Sequence, residues 1–338
     1  MTGDPVLAVD RLDVAIGPVR VVDGVTFDLG RGEILAVVGE SGCGKSLTAL
    51  AIVRLLPPAA RHVGGRVLLD GHDLVALPEA EMRRIRGARI SMVFQEPASS
   101  LDPLMTVGDQ LVEALRAHRS LRRDEGRAEA LAMLQAVGIA EPERRLRQYP
   151  FELSGGMCQR VMIATALAGK PAVLLADEPT TALDVTIQAQ ILRLIKDVRA
   201  KTGTAVVLIT HDMGVVADMA DRVLVMYAGR LVEAGPVEPL FASPRHPYTW
   251  LLLRSVPRLD DEPKTPLRVI EGTVPGAGAW PSGCRFAPRC PLATARCREV
   301  EPELGSIGGG RAVACWHHER VGATGHPEDR GGLGSRPS

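Results

Sequence analysis

Short apolar runs alternate with segments of helical periodicity along the first three quarters of the chain. Residues 33–38, 172–176 and 204–210 are dominated by Val, Ile, Leu and Ala and have the length of buried strands. Helix-like segments begin at Lys45, after the first run, and near Val185, after the second. Strands that alternate with helices in this way predict an α/β domain with a largely parallel sheet.

Two stretches depart from this alternation. Residues 107–148 carry helical periodicity and many charges without a strand signal, which predicts an inserted helical subdomain at about 96–165. Later in the chain Pro, Gly and Arg become frequent and the periodicity fades. We therefore assign residues 1–258 to the α/β domain and 259–318 to a small second module. Residues 319–338 offer almost nothing apolar to bury, which predicts a disordered tail.

Charge and hydropathy exclude some classes of function. The 338 residues include 40 basic and 40 acidic side chains and carry no net charge. Because nucleic-acid-binding proteins favour a basic face, this balance argues against a nucleic-acid partner. Apolar runs such as 205–209 and 223–226 are far shorter than the roughly 20 residues of a membrane helix, and no signal peptide opens the sequence. We expect a soluble, cytosolic chain that reaches a membrane only through another protein.

A glycine-rich segment between the first strand and the first helix fits the phosphate-loop pattern G-x-x-x-x-G-K-[ST]. Its residues are Gly39, Glu40, Ser41, Gly42, Cys43, Gly44, Lys45 and Ser46. The glycines let backbone N–H groups surround phosphate oxygens, Lys45 supplies charge to the β and γ phosphates, and the Ser46 hydroxyl can bind Mg²⁺. A chance glycine-rich turn would lack the flanking strand and helix. Cys43 occupies a variable position of the pattern, and we assign its side chain no role.

The apolar run at residues 172–176 ends in two acids, Asp177 and Glu178. After a phosphate loop, such a pair predicts that Asp177 holds Mg²⁺ through water and that Glu178 is the general base for the attacking water. Acids at a strand end can also cap the following helix. The phosphate loop upstream is what favours the catalytic role.

About twenty residues before Asp177, the segment 153–160 has the sequence Leu-Ser-Gly-Gly-Met-Cys-Gln-Arg. Here the chain resembles ATP-binding-cassette (ABC) ATPases, whose signature is LSGGQ or a close variant. At a helix N-terminus, Ser154, Gly155 and Gly156 present hydroxyl and backbone donors. The resemblance implies that they, with Gln159, contact ATP held by the opposite subunit. It also implies the family fold, a P-loop NTPase core with a mostly parallel sheet, an antiparallel β subdomain and an inserted helical subdomain.

Three further positions match this family in their order along the chain. Gln95 matches the Q-loop residue that touches Mg²⁺ and faces the membrane subunit, Asp184 lies in the D-loop that communicates across the dimer, and His211 matches the switch histidine at the γ phosphate. A lone histidine after a strand is usually structural, and only its position relative to the acids favours this role. The resemblance therefore assigns Glu178, His211 and Gln95 to catalysis, and Ser46 and Gln95 to Mg²⁺.

Adenine recognition departs from the family pattern. Relatives usually stack the base on an aromatic residue upstream of the phosphate loop, and Ile16 occupies that place. We expect adenine to be bound by apolar contacts alone or by a neighbouring residue. The sequence therefore does not predict how strongly the site selects adenine over other bases.

Further motifs narrow the resemblance to the ATPases of oligopeptide and dipeptide importers. They are His-Pro-Tyr-Thr at 246–249, Met157 in the signature, and the segments 95–103, 106–109, 283–286 and 289–291. The pattern looks like the D-type subunit of these importers. It implies an F-type ATPase partner, two transmembrane permease subunits and an extracytoplasmic solute-binding protein, with this chain peripheral at the cytoplasmic side of the membrane. Peptides are the expected solute. Nickel, glutathione and other small solutes, which relatives import, are the alternatives.

Four of the six cysteines lie in the predicted second module with the spacing C-x5-C-x6-C-x17-C, at Cys284, Cys290, Cys297 and Cys315. In a reducing cytosol such a group favours metal over disulfides. Zinc sites generally contain C-x2–4-C pairs, whereas four thiolates at other spacings suit a [4Fe–4S] cluster equally well. The family resemblance associates this region with an iron–sulfur cluster, and we expect one here in a structural role. Zinc, with His317 or His318 as an added ligand, and unliganded thiols are the alternatives.

The motifs together predict a dimer that closes head to tail around two ATP molecules, each between Lys45 of one subunit and the signature of the other. A soluble ABC ATPase of DNA repair or translation control is one rival. Such proteins usually carry two cassettes per chain, coiled coils or basic linkers, and this sequence shows none of them. A metal-binding regulator that also binds ATP is a second rival, and the intact Glu178 and His211 argue against it.

Overall fold

The computed structural model describes residues 4–181, 183–256 and 269–321, which form two β-sheets flanked by helices. The strands are β1 (Leu7–Ile16), β2 (Val19–Leu29), β3 (Ile34–Val38), β4 (Ala60–Leu69), β5 (His72–Asp73), β6 (Ile90–Val93), β7 (Val173–Asp177), β8 (Ala205–Ile209), β9 (Arg222–Tyr227), β10 (Arg230–Pro236), β11 (Gly305–Gly308) and β12 (Arg311–Val313). The helices are α1 (Lys45–Ile52), α2 (Glu79–Ile85), α3 (Pro97–Ser100), α4 (Val107–Arg116), α5 (Arg123–Ala136), α6 (Pro142–Arg145), α7 (Gly155–Leu167), α8 (Val185–Thr202), α9 (Met213–Met219), α10 (Val237–Ala242), α11 (Pro247–Arg254) and α12 (Ala295–Glu299). Among these helices, none combines the length and apolarity that crossing a bilayer requires.

The larger sheet has eight strands in the order β11-β12-β10-β9-β3-β8-β7-β6. Its five strands from β9 to β6 are parallel, and every residue of β3, β7 and β8 is buried. Strands covered on both faces are continuous apolar runs, which explains why the sequence pattern identified them. The predicted α/β class is confirmed. The carboxyl ends of β3, β7 and β8 share one edge, where ligands bind in open parallel sheets.

The smaller sheet is antiparallel, in the order β2-β1-β4-β5. β1 pairs with both β2 and β4, and its register shifts near Arg11, whose φ is +47°. Val9, Leu12 and Val14 on β1 enter the apolar core that the smaller sheet shares with α1 and the larger sheet. This sheet is the antiparallel β subdomain that the family resemblance implies.

The helical subdomain has its own apolar core. α4, α5 and α7 meet around Leu111, Leu134 and Val161, all of which are fully buried. Thr106 begins α4 as its N-cap, since its hydroxyl accepts the Asp109 N–H at 3.2 Å. α3 to α7 occupy residues 97–167. The signature therefore opens a helix that is anchored both in this core and against the larger sheet.

Residues 269–321 pack on the α/β domain and extend its sheet. β12 pairs antiparallel with β10, with Val313 opposite Glu233. Phe286 is fully buried, and its ring centroid lies 5.1 Å from that of Tyr227 and 5.3 Å from that of Tyr248. The residues of the second module predicted at 259–318 that the structure describes therefore share a sheet and a core with the α/β domain. β11 and β12 are four and three residues long, too short for a periodic pattern to reveal them.

Of the predicted disordered tail at 319–338, the structure describes only residues 319–321. Residues 257–268 also lie outside the described residues. The first residues of the tail are ordered in this structure. His318–Arg320 form a 3-10 turn, and Val321 is buried.

Candidate nucleotide site

The phosphate loop connects β3 to α1 along the edge where β7 and β8 also end. Gly39 has φ +153°, and a Cβ there would lie 2.2 Å from the Met226 carbonyl oxygen. Gly44 has φ +108° and would bring a Cβ within 3.1 Å of the Val21 carbonyl oxygen. Only glycine fits both positions, which keeps the loop backbone pressed against β9 and β2.

Lys45 is held inside this loop. Its ammonium donates to the carbonyl oxygens of Gly39 at 2.7 Å and Glu40 at 3.1 Å, and the residue is 5% exposed. It also lies 3.7 Å from the Cys43 sulfur. Burial raises the pKa of the Cys43 thiol, so the thiol is neutral at pH 7. Of these two side chains, only Lys45 is therefore charged, and its ammonium is available to a phosphate.

Ser46 and Asp177 form the predicted Mg²⁺ position. The Ser46 hydroxyl donates to Asp177 Oδ1 at 3.1 Å, and Asp177 is the last, buried residue of β7. Burial raises the pKa of Asp177, the Ser46 hydrogen bond opposes this rise, and the charge of Glu178 adds to it. A hydroxyl and a carboxylate oxygen are ligands that Mg²⁺ prefers, so the pair is suited to the ion.

The other predicted catalytic residues, Gln95 and His211, lie next to Glu178. Its Oε2 accepts hydrogen bonds from Gln95 Nε2 at 3.1 Å and Thr181 Oγ1 at 2.8 Å, and its Oε1 lies 3.3 Å from His211 Nδ1. Burial by itself raises the pKa of Glu178, but the hydrogen bonds from Thr181 and His211, with the charges of His211 and Lys45, lower it overall. The carboxylate is therefore ionised at neutral pH, as a general base must be.

The backbone of Glu178 is in the left-handed region, with φ +45°. This conformation costs energy for a residue with a Cβ, and such strain is concentrated at functional sites. The Glu178 N–H donates to the carbonyl oxygen of Ile209 at 2.9 Å, which fixes the residue to the end of β8.

The signature lies at the start of α7. Ser154 is its N-cap and accepts the Met157 N–H at 3.4 Å, and both Ser154 and Gly155 are exposed. Within the described residues the signature makes no hydrogen bond to the phosphate loop. The phosphate loop and the exposed signature are thus not joined to each other within one chain.

Gly156 of the signature packs against α8, the helix that follows the D-loop. A Cβ at Gly156 would lie 2.9 Å from Ile187 Cγ2, so α7 and α8 touch here. Asp184 caps α8 by accepting the Ile187 N–H at 2.9 Å and is exposed. Gln159, unlike Ser154 and Gly155, is buried at 2% exposed, and its amide nitrogen has no hydrogen-bond partner among the residues that the structure describes. Its assignment to the nucleotide site stays a prediction, and its side chain is not on the surface that presents Ser154.

Ile16 lies at the tip of the β1–β2 hairpin, paired with Val19, and is 39% exposed. The C-terminal residues bring an aromatic ring to this hairpin, which the sequence analysis missed. Trp280 Nε1 donates to the Arg20 carbonyl oxygen at 3.3 Å, and a Cβ at Gly278 would lie 3.2 Å from Val19 Cγ2. Contacts between such distant parts of a chain leave no local pattern that could have predicted them.

The four clustered cysteines are reduced and line one cavity of about 10 Å³, together with His317. Burial raises the pKa of Cys290 to about 12 and that of Cys315 to about 11, so without a metal both are neutral thiols at pH 7. Three of the sulfurs accept backbone N–H groups from two residues downstream, those of Phe286, Leu292 and His317. Within the described residues, no three His, Cys, Asp or Glu side chains converge as ligands of a single metal ion.

Comparison with known proteins agrees with these motifs. Residues 22–181 match the ABC transporter family, and residues 232–297 match the family described as oligopeptide/dipeptide transporter, C-terminal region. The chain is 54% identical to a probable peptide ABC transporter ATP-binding protein of Sinorhizobium fredii, over 89% of this chain and 90% of that one. It is 52% identical to the dipeptide transport ATP-binding protein DppD of Bacillus subtilis, over 93% of this chain and 95% of that one.

Solved structures give the same result for the fold. A dimeric ATP-binding cassette in a post-hydrolysis state with ADP and Pi superposes with a TM-score of 0.62 at 29% identity, over 69% of this chain and 99% of that one. CbiO1 of Clostridium perfringens, part of an ABC transporter complex, superposes with a TM-score of 0.61 at 28% identity, over 71% and 92%. The resemblance predicted from the signature is confirmed. The chain is an ATPase that belongs to the ATP-binding subunits of ABC transporters, in the group that carries the oligopeptide/dipeptide transporter C-terminal region.

Proposed function

We propose that this chain hydrolyses ATP to drive the import of di- or oligopeptides through separate membrane subunits. The observation that carries the proposal is the group formed by Ser46, Asp177, Glu178, Gln95 and His211 at one sheet edge. This group belongs to a chain whose relatives bear the names of peptide transporters over nearly their whole length. The chemistry supports ATP hydrolysis, and the relatives support the solute.

Each residue has a defined task in the proposed hydrolysis. The phosphate loop and Lys45 bind and orient the β and γ phosphates. Ser46, Asp177 and Gln95 would hold Mg²⁺, which supplies charge neutralisation when bound. Glu178 accepts the hydrogen bond of the attacking water, and His211 positions the γ phosphate.

The exposed signature defines what the chain needs from its partners. Ser154 and Gly155 face outward at the N-terminus of α7, where donors and the helix dipole favour a phosphate. We propose that they complete the ATP site of an F-type ATPase subunit, whose signature completes the site at Lys45. Two permease subunits would anchor this pair at the cytoplasmic side of the membrane, and an extracytoplasmic binding protein would deliver the solute.

Uptake by cells that lack the chain tests the solute. Such cells, complemented with the wild-type chain, should accumulate a radiolabelled di- or tripeptide, and cells given Lys45→Ala should not, because the loop loses its phosphate-binding charge. Uptake of nickel and of labelled glutathione is measured in the same cells. If peptide uptake is equal with and without the chain, and uptake of nickel or glutathione requires the chain, the imported solute is nickel or glutathione and not a peptide.

We further propose that the four cysteines hold a [4Fe–4S] cluster. Each thiolate of such a cluster binds a different iron, so the sulfurs surround a volume and need not converge on one point, unlike the ligands of one zinc ion. The backbone N–H groups directed at three sulfurs stabilise thiolates. The present cavity holds about one water, so the side chains must turn outward to admit the cluster. His317 Nε2 bonds Thr294 Oγ1 at 3.0 Å, so zinc could reach this histidine only at Nδ1.

Anaerobic purification should give a brown protein with iron and sulfide approaching about four each per chain and a broad absorption that thiolate ligation to iron produces. Cys290→Ser should remove the colour and lower the melting temperature, because metal binding contributes to the folding of its ligands' surroundings. Cys43→Ser is the matched control, since it removes a thiol outside the cluster. A colourless protein with one zinc per chain and no iron would refute the cluster.

A further inference from the structure

The phosphate loop is tied to the C-terminal residues by an ion pair. Arg289 donates from Nη1 to Glu40 Oε2 at 2.7 Å and from Nη2 to Glu40 Oε1 at 2.9 Å. The Arg289 side chain is 5% exposed and that of Glu40 is 28% exposed. A paired, partly desolvated arginine and carboxylate in this geometry are among the stronger polar contacts in proteins.

Arg289 is itself fixed before it reaches Glu40. Its guanidinium donates to the carbonyl oxygens of Glu271 at 2.8 Å and Ile270 at 3.2 Å, and to the Tyr227 hydroxyl at 3.3 Å. It also lies 6.0 Å from the Phe286 ring centroid. Because several partners besides Glu40 hold the fork, its direction does not depend on Glu40 alone.

A second contact fixes the backbone of the same loop residue. The Glu40 N–H donates to the Tyr248 hydroxyl at 2.8 Å, and Tyr248 is fully buried on α11. His246 caps that helix by accepting the Tyr248 N–H at 3.1 Å. Burial lowers the pKa of His246 to about 3, so the imidazole is neutral at pH 7 and keeps its acceptor. Tyr248 is therefore rigidly placed.

We infer that Arg289 and Tyr248 are positioning residues for ATP, acting through Glu40. The Glu40 carbonyl oxygen accepts a hydrogen bond from Lys45, so the orientation of Glu40 sets where the Lys45 ammonium lies. With side chain and N–H both held from outside, the loop is preorganised, and binding ATP does not have to order it. The C-terminal residues are thus part of the nucleotide site. This inference rests on the ATP site and not on the solute that is imported.

A double-mutant cycle on the full chain tests it. Arg289→Gln, Glu40→Gln and the double variant are titrated with a fluorescent ATP analogue. We expect each single variant to bind the ATP analogue about tenfold more weakly than the wild type, the usual effect of losing a charge-assisted hydrogen-bonded pair. The double variant should bind it no more weakly than either single variant, because both changes break the same pair. Tyr248→Phe should weaken binding by a smaller factor, since only one acceptor is lost.

Arg296→Gln is the matched control, because Arg296 also directly precedes a cysteine and instead lies 3.7 Å over the Trp316 ring centroid. It should bind ATP as the wild type does. In the assembled transporter, Arg289→Gln should raise KM for ATP and leave kcat unchanged, which general damage to the fold would not do. Melting temperatures without nucleotide identify unfolded variants, and Arg289→Lys, which keeps the charge and loses the fork, replaces Arg289→Gln if that variant unfolds.

Two results would overturn the inference. One is wild-type affinity in Arg289→Gln or, if it is needed, in Arg289→Lys. The other is an equal loss in Arg296→Gln, since this would indicate a general effect of the C-terminal residues. Failure of peptide uptake would leave the inference intact, because the titration measures ATP binding directly.

Discussion

Replacing Glu178 by Gln is expected to lower ATP turnover of the assembled transporter by about 10²–10⁴-fold, the usual contribution of a general base. The nucleotide affinity should change little, because Lys45 and the loop glycines bind the phosphates. The side chain of Gln has nearly the same shape, but it cannot take up a proton. Its NH₂ group would also face one of the three donors that now point at the carboxylate, those of Gln95, Thr181 and His211.

Thr181→Ala is the matched control for this experiment. It removes one hydrogen bond to Glu178 and leaves the carboxylate, so turnover should fall far less than with Glu178→Gln. Steady-state phosphate release and ATP binding are measured for both variants. Turnover near the wild-type value in Glu178→Gln would show that another residue is the base.

The purified chain alone, diluted until it is monomeric, should hydrolyse ATP about 10²-fold more slowly than the complex with its partner ATPase and permeases. A decrease in rate of this size is expected when preorganised hydrogen-bond donors to the reacting phosphate are removed. In one chain Ser154 and Gly155 are exposed at the start of α7 and do not bond to the phosphate loop. The missing donors must come from another subunit.

Gly155→Glu isolates this effect. A Cβ at Gly155 meets no atom within 4 Å, so the variant should fold and bind ATP as a monomer. In the complex it places a negative side chain where the partner's ATP would lie and should inactivate that site. Gly156→Ala is unsuitable, because its Cβ would lie 2.9 Å from Ile187 Cγ2. A monomer as active as the complex, or a fully active Gly155→Glu complex, would contradict the shared site.

The sequence predicted the parts of the site that are local. The loop at 39–46, the acids after β7 and the signature each lie within one short segment whose backbone context, strand or helix, also shows in the sequence. The roles of Gln95 and His211 were assigned from family order, because 83 and 33 residues separate them from Glu178. By contrast, the motif at 289–291 gives no sign that Arg289 binds Glu40, which lies 249 positions away. Such pairs depend on tertiary packing, in this case that of Phe286 between two tyrosines.

The same reasoning explains the difference at the C-terminus. A change to Pro, Gly and Arg suggested a small second module, but composition does not reveal which sheet a three-residue strand will join. β12 finds its partner because β10 offers an open edge, and the buried Arg311–Glu233 ion pair, 2.9 Å long, fixes the register. Edge pairing of this kind has no periodic signature.

The attachment of β12 to β10 has a consequence for biosynthesis. A ribosome releases the phosphate loop well before Arg289, which binds Glu40, and before β12, which covers the edge of β10. Until then the nascent chain exposes unpaired backbone groups along β10, a template for association with other chains. A product that terminates at residue 258 would keep that edge permanently open. Residues beyond position 258 therefore cover an edge through which the newly made cassette could associate with other chains.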